Sequence, residues 1–276
     1  MNNQEQTSFV TRSQLVADLQ RIGLRHGDTV MIHASVKSIG WIVGGPRIVL
    51  EALFDVLSAQ GTVMMLASWE GNPYDLSDWT EEQHAAMLED WPPFDPEVTP
   101  ADHRELGILA EYLRTWPGAK RSTHPLASFV AVGQRAQWLT EHHEAYYGMG
   151  PNSPLGRLCG DGGRILMLGA AFTNMTLLHH AEQLVDLPHK QIDRYKMPFL
   201  QDGQKVWVEV EEFDTTNGIA DFGVEDYFLE IGQSYIAAGR GHSGLVGNAQ
   251  SSLVDAGDVK TYAIDWMMQN HRPATP

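Results

Sequence analysis

Two apolar runs rich in β-branched residues, DTVMIHAS (28–35) and GTVMMLASW (61–69), alternate with two segments of helical spacing in the first seventy residues. A run buried on both faces needs cover on each side, so the order helix, strand, helix, strand predicts an α/β fold. The expected architecture is a mixed, largely parallel central sheet with helices on both faces. The first helix covers 12–26, where Leu15, Val16, Leu19, Ile22 and Leu24 recur at helical spacing between an N-cap at Ser13 and Gly27. A glycine-containing loop, SIGWIVGGP, then enters a second helix near Pro46.

The same alternation continues with helices over 107–116, 135–143 and 173–186, the last N-capped at Thr173 or Asn174, and strands over 128–133 and 164–170. KVWVEVEEFDT (205–215) alternates like a half-exposed strand. VEDYFLEIGQSYIAAG reads as a helix, GRGHSGLVGNAQ as a glycine-rich turn and VKTYAIDWMMQN as a terminal amphipathic stretch. Residues of about 70–104, rich in Pro, Gly, Asp and aromatics, read as a loop-rich insertion that walls or gates a site. With no repeat and no low-complexity linker, residues 1–276 are expected to form one intertwined domain.

The chain is acidic, with a net charge of −16, and its basic residues form no run, which argues against nucleic acid and suits a cationic ligand. Acidity for solubility alone gives the same balance. The single cysteine, Cys159, sits among turn residues with no histidine beside it, so neither a bridge nor a catalytic thiolate is expected. No apolar leader and no apolar stretch long enough to span a bilayer are visible, so a cytoplasmic protein with no membrane partner is expected. Oligomeric state is left open by these features.

Four places could carry chemistry. The SIGWIVGGP loop can turn backbone N–H groups toward an anion, although it is neither a dinucleotide fingerprint nor a Walker sequence. RSTHP gathers Arg121, Ser122, Thr123 and His124, with His124 held extended by the following proline. In HHAEQLVD, His179 and Glu182 at i, i+3 share one helix face, the arrangement of an imidazole oriented by a carboxylate for base work. A metal reading of His179, His180, Glu182 and His189 lacks both an HExxH pattern and a cysteine pair. Glu212 and Asp214 fall on one side of the alternating strand, while Glu209 and Glu211 read as a solvated edge.

Read together, LQRIGLRHGDTVMIHASVKSIGWIVGG, GTVMMLASW, PFDPEVTP, LGILAEYLR, KRSTHPLASFVAVG, SPLGRL, ILMLGAAFTNMTLLHHAE and GLVGNAQ resemble, in order, the aminoglycoside 3-N-acetyltransferase family. The resemblance implies the antibiotic acetyltransferase fold, distinct from the GNAT fold. It also implies transfer of an acetyl group from acetyl-CoA to the 3-amino group of the 2-deoxystreptamine ring of an aminoglycoside, conferring resistance. The family's Thr-x-Leu-His-x-Ala-Glu segment falls on Thr176, Leu178, His179, Ala181 and Glu182, and its Glu-x-Asp pair on Glu212 and Asp214. This places His179 as general base, with Glu182, Glu212 and Asp214 as the other catalytic candidates. Coenzyme contacts fall on Ser35, Val36, Lys37, Ser38, Val43, Gly44, Gly45, Ser122 and His124, with the Ser122 hydroxyl or a backbone N–H holding the oxyanion. Trp69, Glu70, Glu212, Asp214 and Asp221 are the expected aminoglycoside contacts, and no metal is implied. The competing readings are acetyl transfer to another amine or amino sugar, a non-catalytic binder of cationic sugars, and a metal-dependent hydrolase.

Overall fold

The computed structural model describes residues 9–70, 80–188, 190–215 and 218–272. Strand β1 (Phe9–Val10) leads into α1 (Arg12–Arg21), which is capped at Thr11 rather than Ser13: the Thr11 hydroxyl accepts from the Gln14 N–H at 3.2 Å. The helix ends before residue 26 because Gly23 turns the chain at φ +109°. Next come β2 (Thr29–Ala34), the single turn α2 (Val36–Ile39), β3 (Trp41–Ile42), α3 (Arg47–Leu57) and β4 (Thr62–Leu66), as the apolar alternation requires.

The insertion is less loop-like than its composition suggests. It contains α4 (Glu81–Asp90), started by a capping box between Thr80 and Gln83. After it follow α5 (Ile108–Arg114), β5 (Lys120–Arg121), β6 (Phe129–Gly133), α6 (Ala136–Thr140), α7 (Pro154–Gly160) and β7 (Arg164–Leu168). Helix α7, read from sequence as turn residues, is set by Ser153 as N-cap and Pro154 at its first position. A 3-10 turn over Phe172–Asn174 precedes α8 (Leu177–Leu184), so this helix begins later than Thr173. The chain finishes with β8 (Ile192–Gln201), β9 (Gln204–Phe213), α9 (Tyr227–Ala237), β10 (His242–Val246), β11 (Ala249–Asp255) and α10 (Ala256–Asn270).

The central sheet has the order β10-β11-β7-β2-β4-β6-β5. Strand β2 is parallel to both neighbours, β4 and β7, while β6 and β11 run against it and β5 and β10 run with it. The parallel part is thus the middle, and antiparallel strands close each flank. The segment GRGHSGLVGNAQ is mostly hairpin: β10 and β11 pair from His242↔Leu253 to Val246↔Ala249.

Period-two burial divides the core. Val30 and Ile32 of β2, with Val63 and Met65 of β4, pack against α1, α3 and α5. Met31 and Met64, one residue out of phase, pack with side chains of α6 to α10 on the opposite face. Helices therefore cover both faces. The β8–β9 hairpin stands apart from this sheet and carries its own small core of Trp69, Phe94, Met197 and Val210. Its loop is Asp202–Gly203, both at positive φ (50° and 74°), as a two-residue type I′ turn requires.

Candidate active site

A cavity of about 930 Å³ opens where β2, β4 and β7 end, lined by the strand ends Ile32–Ala34, Met65–Leu66 and the Gly169–Ala171 turn. The position follows from topology. From β2 the chain crosses to β4 through α3 on one face, and from β7 it continues into α8 on the other, which leaves a crevice beyond the carboxyl ends. Ser35, Val36, Lys37 and Pro46 form one wall and His103–Ile108 the facing one.

Helix α8 brings a histidine to this cavity. Leu177, Leu178 and Ala181 are buried and fix its rotation, so His179 meets the cavity while Glu182 points inward. The His179 side chain is 38% exposed and Glu182 is fully enclosed. His179 Nδ1 lies 2.6 Å from Glu182 Oε2. A carboxylate only accepts, so Nδ1 carries the hydrogen and Nε2 keeps a lone pair for an incoming proton. Glu182 Oε1 accepts from the Tyr227 hydroxyl. His180 faces away, with Nδ1 2.7 Å from the Met149 carbonyl, and burial lowers its pKa. On the cavity floor is a second imidazole, His33, whose enclosed Nε2 has no hydrogen-bond partner and whose pKa burial pushes down to about 4. It is neutral at physiological pH.

The expected coenzyme residues divide. Ser35, Val36 and Lys37 line the cavity, whereas Ser38, Val43, Gly44 and Gly45 lie outside its lining. Ser38 is joined instead to Ser35, hydroxyl to hydroxyl at 2.8 Å. The two glycines serve the turn into α3: both have positive φ, and a Cβ on Gly44 would stand 2.9 Å from Ile48 Cγ1. Ser122 and His124, also expected at the coenzyme, are completely buried and outside the cavity lining. The Ser122 hydroxyl accepts from the Phe129 N–H and lies 2.9 Å from His143 Nδ1, so it is not free to hold an oxyanion.

That buried group underlies the acidic hairpin. His143 Nε2 donates to the Gly148 carbonyl at 2.7 Å, and burial pushes its pKa down to about 3. His124 Nδ1 accepts from the N–H groups of Leu126 and Ala127, so Nε2 carries the hydrogen and donates to the Ala145 carbonyl at 3.2 Å, with Glu212 Oε1 3.4 Å from the same nitrogen. Glu212, 14% exposed, accepts from the Gly148 N–H on Oε1 and from Gln183 Nε2, at 2.7 Å, on Oε2. Gly148 is obligatory there, since a Cβ would sit 2.5 Å from His124 Nε2. Gln183 is one helical turn beyond His179, so the hairpin acid and the histidine are brought to the same helix. Asp214 lies just past β9, its N–H donating to the Gln191 carbonyl.

Glu209 and Glu211 are not a merely solvated edge. Tyr146 donates to Glu209 at 3.4 Å, and Glu211 takes the Tyr147 hydroxyl at 2.5 Å and Arg194 at 2.6 Å. Tyr147 first and Arg194 second hold the Glu211 carboxyl below its usual range. Two expected sugar contacts have structural partners of their own. Trp69 is a core side chain, packed edge-on against Phe94 at 5.3 Å, and Asp221 accepts from the Gly223 N–H to close a turn. Glu70 stands 3.8 Å from His103 and 3.9 Å from Arg104, beside the cavity wall. Sequence reading missed that wall, His103–Ile108, although LGILAEYLR was marked as a family segment.

Among the described residues no group of three or more His, Cys, Asp or Glu side chains is placed to hold a metal, and His189 lies outside them. No described helix is long and apolar enough to cross a membrane.

Comparison with known proteins gives a consistent result. The family profile described as aminoglycoside 3-N-acetyltransferase matches residues 31–268. Aminoglycoside N(3)-acetyltransferase III of Pseudomonas aeruginosa is 44% identical over 257 residues, covering 93% of each chain. The solved structure "AAC-IIIb binary with CoASH" is 42% identical with a TM-score of 0.89, over 98% of this chain and all of that one. A sisomicin-bound AAC-VIa structure is 36% identical with a TM-score of 0.88, over 96% of this chain and all of that one.

Proposed function

The chain belongs to the aminoglycoside 3-N-acetyltransferase family, and from that premise we propose that it transfers the acetyl group of acetyl-CoA to the 3-amino group of an aminoglycoside's 2-deoxystreptamine ring, conferring resistance. The single observation that carries the mechanism is His179 at the cavity edge with its Nδ1–H fixed by a fully enclosed Glu182.

The donor occupies the cavity at the ends of β2, β4 and β7. Lys37 and Arg104 offer cations to its phosphates, and the Ser35–Lys37 wall and the Gly169–Ala171 turn border its thioester arm. The related CoASH complex supports this assignment. The acceptor approaches from the hairpin side, where Glu212 and Asp214 attract its ammonium groups.

Transfer is direct, within a ternary complex. As the 3-amine bonds to the thioester carbonyl carbon, His179 Nε2 takes its proton, and Glu182 stabilises the imidazolium through Nδ1–H. The carbon–sulfur bond then breaks, and His179 returns the proton to the leaving thiolate. With Ser122 sealed in the core, the oxyanion falls to backbone N–H groups at the cavity. Thiol release from acetyl-CoA in the presence of gentamicin, kanamycin, neomycin or apramycin tests the reading. Stoichiometric thiol with at least one of them is expected; silence across the panel contradicts it.

A further inference from the structure

Helix α9 begins against the inner side of the His179–Glu182 pair. Tyr227 gives its hydroxyl hydrogen to Glu182 Oε1, and Phe228 presents its ring to His179 at 4.9 Å and 63°. The helix start is fixed independently, because the Asp226 side chain accepts from the Leu229 N–H at 2.9 Å. The two oxygens of one enclosed carboxylate thus have different owners: Oε2 serves the base and Oε1 is held from another helix.

We propose that Tyr227 is a positioning residue for acetyl transfer, holding the Glu182 carboxylate in plane so that it orients His179. The inference rests on His179 as the base. An enclosed carboxylate held through one oxygen alone is free to turn about its bond to the side chain and lose the alignment that Nδ1–H requires. The second donor prevents this. Toward Glu182, Tyr227 serves as the donor, since burial, and after it the charge of Glu182, raise its pKa above the ordinary phenol value.

The other charged groups around Glu182 do not replace it. Lys190 spends its ammonium on the backbone carbonyls of Glu182, Gln183 and Val185, at 3.2, 3.3 and 2.8 Å. Asp186 acts on Lys190, and Asp226 acts on Tyr227 with the same sign as Glu182. Of the hydrogen bonds to the Glu182 carboxylate, one comes from His179 and the other from Tyr227.

The test is Tyr227→Phe, which removes one oxygen and keeps the ring. The expected result is kcat lower by about tenfold, with KM for both substrates within about twofold. The acid limb of the kcat–pH profile moves to higher pH. Losing the hydroxyl has that sign because the carboxylate then concentrates its charge on the imidazole and favours its charged form. In a Glu182→Gln background the same substitution costs nothing further in kcat. An unmoved limb, an undiminished cost in that background, or a change confined to KM overturns the inference. His179→Ala separates the two layers. If it stays active, the base assignment fails; if it is inactive while Tyr227→Phe keeps the wild-type profile, only the role of Tyr227 fails.

Discussion

The end of the central sheet and the β8–β9 hairpin face the same helix, α8, but they are built by different physics. The sheet end is set by two large apolar cores, one on each face, and by parallel registers such as His33↔Met167 that cannot slip without turning those cores inside out. The hairpin has a small core of its own and is tied down by polar contacts: Tyr146 to Glu209, Tyr147 and Arg194 to Glu211, and Gly148 and Gln183 to Glu212. Lys205 adds three more, to the carbonyls of Leu88, Glu89 and Trp91 at 2.6–2.9 Å. Apolar burial fixes where the reacting atoms meet, whereas a hydrogen-bonded edge can change residue by residue without unfolding the domain. In the proposed function, donor handling belongs to the first region and acceptor choice to the second.

The largest effect expected from this division is His179→Ala, which removes the base and should lower kcat by about 10²–10⁴-fold with the fold intact. Thiol release within a few-fold of the parent would break the account. Next, Ile32→Ala on β2 should cost about 2–5 kcal/mol in urea unfolding, because Ile32 is enclosed in the larger core. Trp207→Ala on the half-exposed outer side of the hairpin should cost about 0.5 kcal/mol or less. Equal costs would erase the distinction.

Acid stability follows from the neutral histidines in both regions. His33 and His143 have native pKa values pushed down to about 4 and about 3, against the ordinary 6.5 of the unfolded chain. The unfolded state therefore binds protons first. Stability is level above pH 6.5 and falls as pH drops through 6.5 toward 4, so Tm should decline over that window. A flat Tm between pH 7 and 5 would contradict the buried, neutral assignment. Glu212→Gln is expected to raise KM for the aminoglycoside a few-fold with kcat nearly unchanged, and less so as salt is added. A loss in kcat instead would move Glu212 into the chemistry.

What was legible in the sequence follows the same line. Strands β2, β4 and β7 declare themselves as apolar β-branched runs because both their faces are buried, and α3 does so through its broad apolar face. Strand β8, IDRYKMPFLQ, hides: one side faces solvent, and Pro198 and three charged residues obscure its period. The Asp202–Gly203 pair between β8 and β9 was the available signal for that hairpin. Helix α4 has no apolar stripe, and only its Thr80 and Gln83 spacing announces it. His179 and Glu182 were readable because their pairing is local, three residues apart on one helix. The burial of Ser122 and His124 was not legible, because polar residues before a proline look equally ready for a ligand or for a buried network, and the contacts with His143 and Glu212 are tertiary. Tyr227 contacts Glu182 from 45 residues away, beyond any spacing rule.

The most direct test of the central claim is to locate the transferred acetyl group by NMR and mass spectrometry on the product formed from acetyl-CoA and gentamicin or kanamycin. The account predicts a single acetyl group on the 3-amine of the 2-deoxystreptamine ring, appearing in step with free thiol. An acetyl group on any other amine, or thiol release without acetylated sugar, would contradict it.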